Sequence, residues 1–174
     1  DMVPWMYTDQ YVRLKNSTAI PICTGEDIYL KEGFEALIKA GGVSVIHPDI
    51  LTCGGALELK KIADIADEHG VAVAVHMAES PIACMAAVHT AAAMHNVLAV
   101  EFHSIDVPWW TDMVKGLPQP LIQHGFIQVP EKPGLGIEDL NEELLAQHVN
   151  PGIPGMWEPT DEYNREFSND RIWS

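Results

Sequence analysis

LKKIADIADEHGVAVAVHMAESPIACMAAVHTAAAMH, residues 59–95, contains a helical pattern, an apolar run and a second helical pattern in one stretch. Leu59, Ile62, Ala63 and Ala66 recur at helical spacing, so one face of the segment is apolar, and Gly70 ends it. Val71–Val75 (VAVAV) shows no polar alternation, which predicts a strand buried on both faces, as in a parallel sheet. Ser80 and Pro81 then supply an N-cap and a proline at the first helical position. They open an alanine-rich helix expected to reach about His95, after which Asn96 is expected to take a left-handed turn.

The same unit recurs on both sides. Ala19–Cys23 (AIPIC), Val43–Ile46 (VSVI) and Val97–Val100 (VLAV) read as further buried strands. Leu30, Phe34, Leu37 and Ile38 form a helical stripe between the first two, closed by Gly41-Gly42, and Thr8 to Asn16 reads as an earlier helix. Strands alternating with helices predict an α/β fold built of βα units around a parallel sheet with right-handed crossovers. Periodicity alone leaves open whether the sheet closes into a barrel. No glycine-rich loop follows a strand, which argues against dinucleotide and P-loop folds. After about Asp106 prolines and glycines become frequent. The reading is therefore a βα body over 1–106 and an irregular tail over 107–174 wrapped on it. The tail should hold one short helix near Asn141 to His148 and be poorly ordered over its last fifteen residues.

Composition limits the partners. The chain has 174 residues, is 47% hydrophobic and carries a formal charge of −15, with a mean hydropathy of +0.01. No apolar run approaches the roughly 18 residues of a membrane helix, so no membrane partner is expected. The charge argues against nucleic acid and would repel an anionic substrate unless a cation sits in the site. Three widely spaced cysteines, Cys23, Cys53 and Cys84, suggest reduced thiols and a cytoplasmic protein. With no visible signal pattern and Asp1 in first place, the chain reads as a piece of a longer polypeptide.

Each apolar run ends in ionisable groups: Thr24-Gly25-Glu26, His47-Pro48-Asp49, His76 and Glu101. Glu26, Asp49, His76 and Glu101 follow one another at about 25 residues, one βα unit, and the C-terminal ends of parallel strands converge on one rim. Taken singly, Glu26 reads as a loop carboxylate, His76 as a core histidine and Asp49 as a turn residue. Glu101, inside VEFH, needs a partner in any reading. Together they point to a site, because four such groups gathered on one rim would cost stability without one. His47 and His103 sit two residues from Asp49 and Glu101, where a strand returns to the same side. They are candidates for substrate contact or for ordinary rim positions. Trp109-Trp110 either wall the substrate pocket or pack against the tail.

On these residues the sequence resembles the mandelate racemase and muconate lactonizing enzyme branch of the enolase superfamily. Gly25-Glu26 resembles a metal-binding carboxylate at the end of the fifth barrel strand, so Glu26 is the metal residue implied. HPDILTCGG, from His47 to Gly55, resembles the sixth-strand segment, with Asp49 as the partner of a catalytic histidine. His76 in VAVAVHM matches the seventh-strand general base, and Glu101 in AVEFH the eighth-strand carboxyl that hydrogen-bonds the enolate. PGLGIEDL, Pro133 to Leu140, resembles the return to an N-terminal capping domain. The resemblance implies the C-terminal half of a (β/α)₈ TIM-type barrel, about strands 5–8, with an irregular tail.

It further implies a Mg²⁺ cofactor, a small carboxylate substrate of the sugar-acid kind, and a homo-oligomer. The chemistry implied is abstraction of the proton α to a carboxylate by His76, oriented by Asp49, with Glu101 kept protonated by burial and neighbouring charge and donating to the oxyanion. An acid-sugar dehydratase is the preferred reading. The alternatives are a racemase or epimerase of a 2-hydroxy acid, and a catalytically silent barrel fragment that acts as a binding partner. Two further metal carboxylates are expected upstream, one of them a Glu directly before Asp1.

Overall fold

A computed structural model describes residues 3–150 and Gly152. The disorder expected of the last fifteen residues lies outside the described part. The order of elements is α1 (Thr8–Ser17), β1 (Cys23–Thr24), α2 (Leu30–Lys39), β2 (Val45–Ile46), α3 (Ala56–Glu68), β3 (Ala72–Val75), α4 (Pro81–Ala91) and β4 (Val97–Val100). Two single-turn 3₁₀ helices, Ser104–Asp106 and Thr111–Met113, follow β4. A small ribbon of β5 (Val114–Lys115) and β6 (Asp139–Leu140), then α5 (Glu142–Gln147), follows in the described part of the tail.

The four strands lie side by side in chain order, and every neighbouring pair is parallel. A strand that returns through a helix to pair in parallel with its predecessor is the repeating unit of a barrel wall. The helices exist because their apolar stripes face this sheet. Phe34, Leu37 and Ile38 of α2 and Leu59, Ile62, Ala63 and Ala66 of α3 are buried with Val73 and Val75 of β3 in one core. α2 stops at Gly41, whose positive φ of 71° reverses the chain. The Gly41 N–H then reaches the Ile38 carbonyl and the Gly42 N–H the Leu37 carbonyl, which satisfies two helix-end acceptors. The same pair of bonds closes α3 through Gly70 and Val71.

Four local expectations are corrected. β1 is shorter than Ala19–Cys23: Ile20 is exposed, and Pro21 has no N–H to give, so pairing begins only at Cys23. α4 ends at Ala91 rather than His95, because the N–H groups of Ala93 and Met94 bond three residues back and tighten the last turn. Ser80 stands at the N-cap with extended backbone but makes no side-chain cap bond. Asn96 is not left-handed; its amide donates to the carbonyls of Ala63 and Val71 and pins the α4–β4 turn to α3.

β4 departs from burial on both faces. Leu98 is 65% exposed, and among the described residues nothing pairs with the strand's far edge. A second core lies between α4 and the tail, where Met77, Cys84, Met85, Val88, Trp110 and Leu121 are buried together. α5 starts at Asn141, whose side chain accepts from the Leu144 N–H. All three cysteines are free, and no helix among the described residues is long and apolar enough to cross a membrane.

Candidate active site

The rim at the C-terminal ends of β1–β4 is assembled by backbone bonds that continue the sheet past the strands. His47 N–H donates to the Thr24 carbonyl, His76 N–H to the Pro48 carbonyl, and Glu101 N–H to the Val75 carbonyl. Each bond fixes the height of one polar residue against the preceding strand. Gly25 makes the β1 turn possible: a Cβ there would lie 2.7 Å from the Phe34 ring and 3.1 Å from the His47 nitrogen. Only glycine therefore lets the chain pass this close and present Glu26.

Asp49 is the anchor of the rim. It is 1% exposed and fully engaged: Oδ1 accepts from Leu51 N–H (2.7 Å) and Thr52 N–H (3.1 Å), and Oδ2 from His76 Nδ1–H (2.8 Å). Burial alone would raise its pKa, but donation from Glu79, His76 and the two backbone amides outweighs burial and holds it below the ordinary value. Because a carboxylate only accepts, Nδ1 of His76 carries the proton and Nε2 faces the rim as the free basic nitrogen. Burial lowers the His76 pKa, yet the bond and charge of Asp49, with the charges of Glu26 and Glu101, raise it on balance.

The remaining groups close around that nitrogen. Glu26 Oε2 lies 3.4 Å from His76 Nε2, and Glu101 Oε2 lies 3.8 Å from it. Glu101 also meets His47 Nε2 at 3.1 Å through Oε2 and His103 Nε2 at 3.1 Å through Oε1. His47 gives its Nδ1–H to the Ala74 carbonyl at 2.7 Å. The His47 and His76 rings stand edge to face with centroids 5.2 Å apart.

Six residues singled out in the sequence thus meet on one rim: Glu26, His47, Asp49, His76, Glu101 and His103. One expectation about it is corrected: the Glu101 side chain is 31% exposed rather than buried. The Trp109 ring stacks on His148 at 3.8 Å, in the packing against the tail. Its neighbour Trp110 is the one tied to the rim, donating from Nε1 to the Glu79 carbonyl at 2.7 Å.

Glu79 was not foreseen. Its carboxyl meets that of Asp49, and burial followed by the bond and charge of Asp49 raises its pKa. Two carboxyl groups can hydrogen-bond only through a shared proton. The available signal was its place three residues after His76, on the turn that leads into α4.

With this geometry in place, the relatives are informative. Residues 1–143 match the family described as enolase C-terminal domain-like. A D-xylonate dehydratase of Haloferax volcanii is 43% identical over 152 residues, covering 87% of this chain and 36% of that protein. A D-galactonate dehydratase of Variovorax paradoxus is 32% identical over 148 residues, covering 82% of this chain and 38% of that protein. The crystal structure of a mandelate racemase/muconate lactonizing enzyme-like protein from Rubrobacter xylanophilus superposes with a TM-score of 0.82 at 36% identity, over 89% of this chain and 39% of that one. The chain therefore spans less than half the length of the relatives it matches. A parallel half-barrel with a His–Asp pair on its rim, matched over most of its length, makes this chain a member of the enolase C-terminal domain-like family, in the mandelate racemase and muconate lactonizing enzyme branch.

Proposed function

We propose that this chain supplies the proton-transfer half of a sugar-acid dehydratase site. The observation that carries the reading is the His76–Asp49 pair: a buried carboxylate fixes the tautomer, raises the basicity and leaves Nε2 open. The D-xylonate and D-galactonate dehydratases among its relatives suggest the substrate class.

A proton α to a carboxylate is too weakly acidic for imidazole unless the charge that develops is stabilised. Of the rim carboxylates, Asp49 is committed to His76 and to backbone, and Glu101 to His47 and His103. Glu26, with its side chain 42% exposed, is the one hard oxygen donor left for Mg²⁺. It fits as a single ligand among the roughly six that Mg²⁺ takes, with the others drawn from water, substrate and residues outside this chain. When bound, the cation supplies positive charge beside the substrate carboxylate.

The chain's own residues do the rest. His76 Nε2 takes the α-proton, and the electron pair of that C–H bond moves into the carboxylate to give an enediolate. Glu101, on the same rim, serves as a hydrogen-bond donor to the oxygen where this charge grows, a role that needs a proton on its carboxyl. The pair then returns to form the C=C bond as the β-hydroxyl leaves with a proton from an acid such as protonated His76. The resulting enol becomes a 2-keto-3-deoxy acid. The test is to incubate the full-length protein and Mg²⁺ with a panel of sugar acids that includes D-xylonate and D-galactonate. Formation of a 2-keto-3-deoxy product, lost on chelation, is expected; no turnover across the panel with folded, metal-loaded protein would reject the reading.

A further inference from the structure

We propose that the rim binds a borderline divalent cation of the Zn²⁺ class through Glu26, His47 and His76, a site that shares Glu26 with the Mg²⁺ position proposed above and differs from it in its two imidazoles. The three residues each bring a ligand atom within 4.8 Å of the others. Two of the three are imidazoles, and imidazole selects Zn²⁺, Ni²⁺ or Cu²⁺ over Mg²⁺.

The site is built beyond the donors themselves. His47 gives Nδ1–H to the Ala74 carbonyl, and His76 gives Nδ1–H to Asp49. Each ring thus carries a proton on Nδ1 and turns Nε2 toward the rim. A histidine metal ligand is ordinarily held this way, by a carbonyl or carboxylate on its other nitrogen. Both partners sit on the sheet or at its immediate end, so the rings are oriented before any cation arrives.

Distances favour a small tetrahedral ion. Ligand atoms about 2.0–2.1 Å from Zn²⁺ stand roughly 3.3 Å from one another. Glu26 Oε2 and His76 Nε2 are already 3.4 Å apart. Glu101 Oε2, 3.1 Å from His47 Nε2 and 3.8 Å from His76 Nε2, is placed to contribute or to accept from a bound water. The His47–Glu101 contact needs a proton between nitrogen and oxygen, and a divalent cation replaces that proton. Glu26 is exposed enough to give an entry path and to swing inward.

The consequence rests on the dehydratase reading: a cation on His76 Nε2 occupies the electron pair the base needs. Zn²⁺ would then act as a brake on the reaction. Calorimetry with Zn²⁺ alone tests the site itself, using this chain with exposed Cys23 replaced by Ser to remove a competing thiol. The expectation is one ion per chain and an affinity at least about tenfold weaker in His47→Ala and in Glu26→Gln. In the parent chain, ¹⁵N spectra should show Zn²⁺ moving the Nε2 signals of both histidines while Nδ1 stays protonated. That readout needs no variant to fold and no turnover, so it stands apart from the dehydratase test. Unchanged Nε2 signals at saturating Zn²⁺, or equal affinity in folded His47→Ala, would overturn the proposal.

Discussion

The two interior strands and the two edge strands end in the same kinds of side chain, yet they treat them differently. Asp49 at the end of β2 and His76 at the end of β3 are 1% and 17% exposed, and the hydrogen bond between them is fixed from both sides. Glu26 beyond β1 and Glu101 beyond β4 are 42% and 31% exposed. The difference follows from sheet position. An interior strand has neighbours that bury and orient its terminal residue, whereas β1 and β4 each lack a neighbour on one side among the described residues. The pair proposed to move a proton is therefore buried and oriented by this chain, while the two glutamates sit at open edges.

The comparison breaks first if the interior pair is not structural. Asp49→Ala leaves the His76 ring and the Leu51 and Thr52 N–H groups without this acceptor, and a buried donor left unpaired costs about 1–3 kcal/mol. At roughly 2–4 °C per kcal/mol for a chain of this size, thermal unfolding should shift down by several degrees. Glu26→Gln, at the exposed edge, should shift it by less than about one degree. Equal shifts in a melting experiment would remove the distinction between interior and edge.

A second, smaller effect concerns pH. His76 is raised above the ordinary 6.5, so its contribution to stability is full below that value and is lost as pH rises through the higher folded value. Asp49 is lowered below the ordinary 3.8, so its contribution is present above that value and is lost as pH falls through the lower folded value. Chemical unfolding should thus find greatest stability between these limits, with the alkaline decline flattened in Asp49→Asn. A titration of the His76 ring that moved to no lower pH in that variant would contradict the coupling.

The smallest effect sharpens the role of Glu79. Its carboxyl shares a proton with Asp49, so Glu79→Ala frees electron density on Asp49 for His76. The ring pKa should then rise by about half a unit or less. A fall would mean that Glu79 acts on His76 by some other route.

The interior of the fold was legible because its signals are local. VAVAV, the apolar stripes of α2 and α3, and Gly41 and Gly70 state their roles within one turn or strand. The regular recurrence of Glu26, Asp49, His76 and Glu101 carried the rim, because parallel strands bring equivalent positions to one end. What escaped depends on distant partners. The exposure of Leu98 and Glu101 reflects which strand has a neighbour, and Trp109 turns to His148 because of the course of the tail. Glu79 went unnoticed because its partner Asp49 lies thirty positions earlier in the sequence.

The central claim is that His76 is the base, and solvent-deuterium exchange tests it most directly. In the full-length protein with Mg²⁺ and a sugar acid that the parent turns over, the α-position should exchange with solvent alongside product formation. His76→Asn should reduce both by about 10²–10⁴-fold, the usual contribution of a positioned base, while Mg²⁺ binding persists. Asp49→Asn should fall between parent and His76→Asn, since the ring remains but loses its orienting carboxylate. Exchange and dehydration at the parent rate in His76→Asn would contradict the account.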